Sequence, residues 1–174
     1  PKRIVFVAIK QDKILQLYAD SGDGYRYIKS YPILGASGEL GPKLREGDRQ
    51  VPEGIYKVVF LNPNSLYHLA LRLNYPNEYD IKNAKLDGRT ELGQDIMIHG
   101  DNCSIGCLAM GDFASEDLFV LAADTGMLNI KVILSPVDFR KTDLDTANLK
   151  LPKWSNELYA KLSSELKQLP EPVN

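Results

Sequence analysis

Cysteine and histidine are scarce in this chain, with two of each among 174 residues. Two cysteines do not staple a domain of this length, so the fold must rest on an apolar core, for which a 44% apolar content suffices. No Lys/Arg cluster is longer than a pair, and 21 basic against 23 acidic residues leave a net charge of -2, which argues against nucleic acid as a partner. Apolar runs such as Ile4–Ile9 fall far short of the roughly 20 residues that cross a bilayer, so no membrane span is expected. Internal repeats and low-complexity tracts are also missing. The chain opens Pro1-Lys2 without a methionine, which suggests a processed or trimmed form in which any leader is already gone.

What remains is largely strand-like. Arg3–Ile9 and Lys13–Tyr18 are apolar runs, Ser21-Gly22-Asp23-Gly24 signals a turn, and Tyr25–Leu34 is a third stretch. The loop Gly35–Pro52 carries four glycines and two prolines. Ile55–Leu61 and Leu66–Leu73 are expected to form a hairpin across Asn62-Pro63-Asn64-Ser65. Alternation in its second strand puts Tyr67, Leu69, Leu71 and Leu73 toward the core and His68, Ala70 and Arg72 on the other face. A short helix is expected near Asp80–Leu86, and strands at Asp95–His99 and Asn129–Leu134. Between those strands, Asp112 or Ser115 is expected to N-cap a helix that ends at Gly126. Trp154, Leu158, Leu162, Leu166 and Leu169 mark one face of an amphipathic C-terminal helix whose mixed-charge polar side fits packing on the domain. The expected organisation is a domain over residues 1–140, followed by a linker and packed helix over 141–174.

The scarce residues are clustered. His99, Cys103 and Cys107 fall within nine positions, flanked by Gly100 and Gly106, which let the backbone turn sharply. A thiolate attacks and a nearby imidazole takes and returns the proton, which is the minimum equipment for acyl transfer. His99 at a strand end and Cys107 on the returning segment can face each other across a tight loop. The amides of Gly106 and Cys107 are candidate oxyanion donors, and Ser104 is a candidate to orient the imidazole or hold substrate. Other readings stay open on residues alone. Cys107 is also compatible with a small buried hydrophobe and His99 with a satisfied loop histidine. Cys103 and Cys107 form a candidate disulfide, or a poorly spaced zinc site with His99 and His68. His68 has ordinary neighbours, and no second base is called for.

The run Ile98-His99-Gly100 followed by Ser104-Ile105-Gly106-Cys107-Leu108 resembles the active-site signature of the L,D-transpeptidase catalytic domain (YkuD) family. Gly35-Ala36, Gly41-Pro42-Lys43, Gly47-Asp48 and Val51-Pro52-Glu53-Gly54-Ile55-Tyr56 resemble its N-terminal block, so the likeness covers roughly residues 3 to 136. Leu71-Arg72-Leu73-Asn74-Tyr75-Pro76-Asn77 and the Gly106–Met110 ending are similar to a YafK-like branch. The resemblance implies a mostly β, sandwich- or barrel-like fold with a few helices. It also implies a cell-envelope or periplasmic enzyme without a cofactor or metal. Its substrate would be meso-diaminopimelate in peptidoglycan stem peptides, by crosslinking or by hydrolysis, with a wall-attached lipoprotein as a further candidate partner. Carried over, Cys107 is the nucleophile, His99 the base, and the Ser104–Cys107 turn the oxyanion side. Two departures from the commonest pattern stand out. Ile105 replaces a second histidine and Ala109 a polar residue, which leaves Arg72 or Tyr75, with Asn74 and Tyr67, as substrate-binding candidates. A wall-binding module without turnover, and a cysteine peptidase outside the wall, are the competing readings.

Overall fold

A computed structural model describes residues 1–173. Among these residues, eight strands form one continuous arrangement in the order β3-β2-β1-β8-β4-β5-β6-β7. They are β1 Arg3–Ile9, β2 Ile14–Asp20, β3 Tyr25–Pro32, β4 Gly54–Ser65, β5 His68–Leu73, β6 Met97–His99, β7 Leu108–Ala109 and β8 Ile130–Ser135. Three α-helices accompany them: α1 Glu78–Leu86, α2 Asp112–Thr125 and α3 Ser155–Leu166. The fold is mostly β.

β1 lies between antiparallel β2 and parallel β8. Every residue of β1 but its first is buried, because both faces of this part of the sheet are covered. Phe6, Leu15, Val132, Leu71, Ile98 and Leu118 belong to one core, beneath α2. Val5, Val7 and Ile133 belong to a second core on the opposite face, closed by Leu158, Leu162 and Leu166 of α3. Each of those leucines contributes about 1.5–3 kcal/mol by leaving water. Val137 and Phe139 join the same second core, which ties the segment after β8 to the helix that follows it.

The expected hairpin is displaced. Asn62-Pro63-Asn64-Ser65 lies within β4, and the turn falls at Leu66-Tyr67 instead. Register irregularities between Val58 and Phe60 and between Asn62 and Ser65 absorb Pro63, which has no N–H to give to a ladder. Leu71 and Leu73 point into the core as expected, but Tyr67 is exposed, and Ala70 on the opposite face is fully buried. α1 begins two residues before the expected start because Asn77 caps it, accepting from Tyr79 and Asp80 while Asp80 accepts in return from the Asn77 N–H. α2 is capped by neither Asp112 nor Ser115. Gly111 occupies the N-cap without a side-chain bond, and the Asp112 carboxylate is used elsewhere.

The long loop from Gly35 to Pro52 is ordered by buried polar groups. Lys10, just past β1, donates to Gly41 O, Val51 O and Glu53 Oε1. Glu53 also accepts from the Gly41 N–H and, through Oε2, from the Tyr159 hydroxyl of α3. One ion pair with side chains 7% and 0% exposed therefore connects the end of β1, the loop and α3.

Candidate active site

β6 delivers His99 and β7 follows Cys107, but the two strands do not form a hairpin. They are parallel, with Ile98 opposite Leu108 and His99 opposite Ala109. The intervening loop, which contains Gly106 at φ +82° and Asp101 at φ +61°, carries the chain across so that both strands run the same way. Ile98 and Leu108 point into the core. By alternation, Met97, His99 and Cys107 share the opposite face, and Arg72 joins them because it pairs with Met97.

His99 is 2% exposed and its imidazole lies beneath the Tyr67 ring, with centroids 4.8 Å apart. Its Nδ1 is 2.6 Å from Gly100 O. A carbonyl only accepts, so Nδ1 carries the proton and Nε2 holds a free lone pair. Burial pushes the imidazole below its ordinary value, against the opposing effects of Gly100 O and Asp101. The Cys107 Sγ accepts from the Met97 N–H at 3.3 Å and is 3.5 Å from Asp95 O. Burial pushes this thiol up, with the Met97 N–H pulling it partly back. Both shifts favour the neutral forms. No hydrogen bond joins them among the described residues.

Ser104 does not orient the imidazole. Its Oγ accepts from the Cys107 N–H at 3.1 Å, because the turn folds the hydroxyl back onto its own backbone. The Gly106 N–H is bonded to Ser37 Oγ at 2.7 Å, and Ser37 donates to Arg49 O. Ser37 thus couples the long loop to the cysteine turn. Nothing in the linear string singles it out beyond its place between Gly35 and Gly38.

A cavity of about 250 Å³ opens beside Cys107, with Lys43, Arg49, Gln94, Asp95, Ile105 and Gly106 among its walls. Lys43 is pinned to Asp48, whereas Arg72 lies 3.5 Å from Asp95 at the edge of the site. Asn74 and Tyr75 are elsewhere. Asn74 accepts from the Lys57 N–H beyond the end of β5, and Tyr75 is buried with its hydroxyl on Leu92 O, so both serve the fold at that strand end. Cys103 is an exposed free thiol and Cys107 a half-buried one, and no group of three metal-ligating side chains occurs among the described residues.

A parallel pair of short strands thus brings a thiol and an imidazole with a defined tautomer to one face of the sheet. Residues 2–133 match the L,D-transpeptidase catalytic domain family, YkuD, and the chain belongs to that family. It is 39% identical over 158 residues to the candidate L,D-transpeptidase YafK of Escherichia coli (strain K12), an alignment covering 87% of this chain and 60% of YafK. The chain thus spans less than two thirds of that relative's length. Among solved structures it is similar to the helical cell shape determining protein Pgp2 of Campylobacter jejuni. That match has a TM-score of 0.60 and 26% identity, and covers 78% of this chain and 48% of Pgp2. Bd1075 of Bdellovibrio bacteriovorus shares the fold, with a TM-score of 0.54 at 22% identity over 96% of this chain and 55% of Bd1075.

Proposed function

We propose that this chain is a cysteine-dependent acyl-transfer enzyme of the bacterial cell envelope, acting on meso-diaminopimelate in peptidoglycan stem peptides. The observation that carries the reading is the Gly100 O bond to His99 Nδ1. It leaves Nε2 basic on the face that Cys107 shares. Family membership supports a peptidoglycan substrate.

His99 takes the Cys107 proton as sulfur attacks the carbonyl at the L-centre of diaminopimelate. The negative charge forming on that oxygen is met by the amides of Gly106 and Cys107, which give up Ser37 Oγ and Ser104 Oγ to bind it. His99 then returns the proton to the departing amine, leaving a thioester on Cys107. An amine acceptor completes a crosslink, whereas water completes hydrolysis. Release of a wall-attached lipoprotein is one form that the hydrolytic outcome takes. Arg72, the Tyr67 edge and Arg49 in the cavity wall are the substrate contacts in this reading.

A wall-binding module without turnover is the second reading, and the missing hydrogen bond between Cys107 and His99 favours it. Mass spectrometry of peptidoglycan digests incubated with the protein, with and without an added amine, separates the two. A cleaved or exchanged diaminopimelyl bond that disappears in Cys107→Ala supports the enzyme. Unchanged digests, or turnover retained by Cys107→Ala, would remove Cys107 from its role.

A further inference from the structure

The second histidine lies against the loop that holds the first. His68, at the start of β5 beside the β4–β5 turn, has φ +65°, a conformation that non-glycine residues rarely adopt. Its Nε2 lies 2.7 Å from Glu116 Oε1 on α2. Asp112, one helical turn before Glu116 and on the same face of α2, accepts from the Asp101 N–H at 2.9 Å. Gly100 is enclosed between these grips. A methyl on its Cα would sit 2.6 Å from Asp112 Oδ1, 2.8 Å from His68 Cβ and 2.9 Å from Tyr67 O. One face of α2 therefore holds two groups that meet the His99 ring, the Gly100 carbonyl at its Nδ1 and the Tyr67 ring packed against it.

We propose that His68 and Glu116 are positioning residues for the base: their bond fastens the β4–β5 turn to α2, keeps the Tyr67 ring over His99, and fixes the Gly100 carbonyl that sets the imidazole's orientation. The proposal rests on the reading of His99 as the base. Neither partner lines the cavity beside Cys107. Both side chains are substantially exposed, 41% for His68 and 54% for Glu116, and an exposed pair of this kind adds little to global stability. A purely structural role thus predicts little change in anything when the pair is cut.

The test is an NMR titration of the His99 ring together with steady-state kinetics on a diaminopimelate-containing stem tetrapeptide. The chain has only two histidines, so His68→Ala leaves His99 as the sole imidazole signal and also assigns it in Glu116→Ala. Release of the Tyr67 ring exposes His99, and its titration midpoint, held down by burial, rises in both variants. Misplacing the base by a fraction of an ångström lowers kcat about tenfold. The double variant loses no more than either single one, because the two residues act as a unit. His68→Gln and Glu116→Gln, which can re-form the bond, restore most of kcat. An unmoved His99 midpoint in both alanine variants overturns the proposal whatever their activity. The titration needs no turnover, so its failure is distinguishable from a failure of the enzymatic assignment.

Discussion

Lys10→Met tests whether the loop that supplies Ser37 to the cysteine turn is held by a buried charge pair. The Lys10 side chain is 7% exposed and Glu53 is fully buried, so the substitution leaves Glu53 without its cation. It also frees Gly41 O and Val51 O, which both accept from Lys10. Removing one member of a buried pair leaves an uncompensated charge and destabilises by about 3–5 kcal/mol. That is a large fraction of the roughly 5–15 kcal/mol of a typical domain. For a chain of this size the unfolding midpoint should fall by about 6 to 20 °C. The assay is thermal and urea unfolding of Lys10→Met, Glu53→Gln and the double variant at neutral pH. The double variant should recover most of the loss, because the carboxamide that Glu53→Gln introduces is neutral, its oxygen still accepts from the Gly41 N–H, and its NH2 can donate to the Tyr159 hydroxyl oxygen. A double variant as unstable as Lys10→Met would show that the loss comes from the freed carbonyls and not from the unpaired carboxylate, and the reasoning would fail.

Three further outcomes are expected. Burial raises the Cys107 thiol and lowers the His99 imidazole, so alkylation of Cys107 by iodoacetamide in a Cys103→Ser background should be slow at neutral pH and accelerate only in alkaline buffer. A rate already at its plateau in weak acid would demonstrate a preformed thiolate–imidazolium pair instead. Burial pushes the Asp80 carboxyl up to about 6 from an unfolded value near 3.8. The protonated form is thus favoured by folding, and its stabilising contribution is complete below the unfolded value and lost as pH rises through about 6. The difference is worth roughly 3 kcal/mol, and Asp80→Asn should flatten the pH dependence of urea unfolding across that window. Ser37→Ala removes the acceptor from the Gly106 N–H and the donor to Arg49 O, and should destabilise by about 1–2 kcal/mol while speeding hydrogen exchange at Gly106.

Where side-chain periodicity alone decides, sequence and structure agree closely. Ile4–Ile9 is buried on both faces and reads as an unbroken apolar run, and α3 shows its stripe because one face covers the sheet while the other meets water. The disagreements lie where tertiary contacts outvote local chemistry. Asn62-Pro63-Asn64-Ser65 has the composition of a turn, yet irregular β4–β5 pairing accommodates it, and the sharp reversal falls on Leu66, a residue with no turn preference that is 96% exposed. Asp112 looks like an N-cap, but its carboxylate accepts from the Asp101 N–H across the loop, leaving Gly111 to start α2.

The candidate site divides along the same line. His99 and Cys107 were legible because scarce, reactive residue types cluster visibly in a linear string. The groups that determine what they can do were not, because each acts through the backbone or from a distant element. Gly100 sets the imidazole tautomer by its carbonyl, Met97 steadies the sulfur by its amide, and Ser37 reaches Gly106 from 69 residues away. A backbone group has no residue-type signature, and an isolated serine has almost none. The same backbone contacts bear on mechanism. Burial lowers the basicity of the imidazole and raises the thiol, and both effects disfavour proton exchange between them at rest. In the proposed mechanism the transfer accompanies attack, when charge passes to a carbonyl oxygen facing the amides of the Ser104–Cys107 turn. A thiol that remains protonated until substrate arrives is also a poorer target for oxidants and stray electrophiles, which react with the thiolate. In that arrangement, catalysis depends more on the fixed geometry of His99, Gly100 and Tyr67 than on a standing reactive anion.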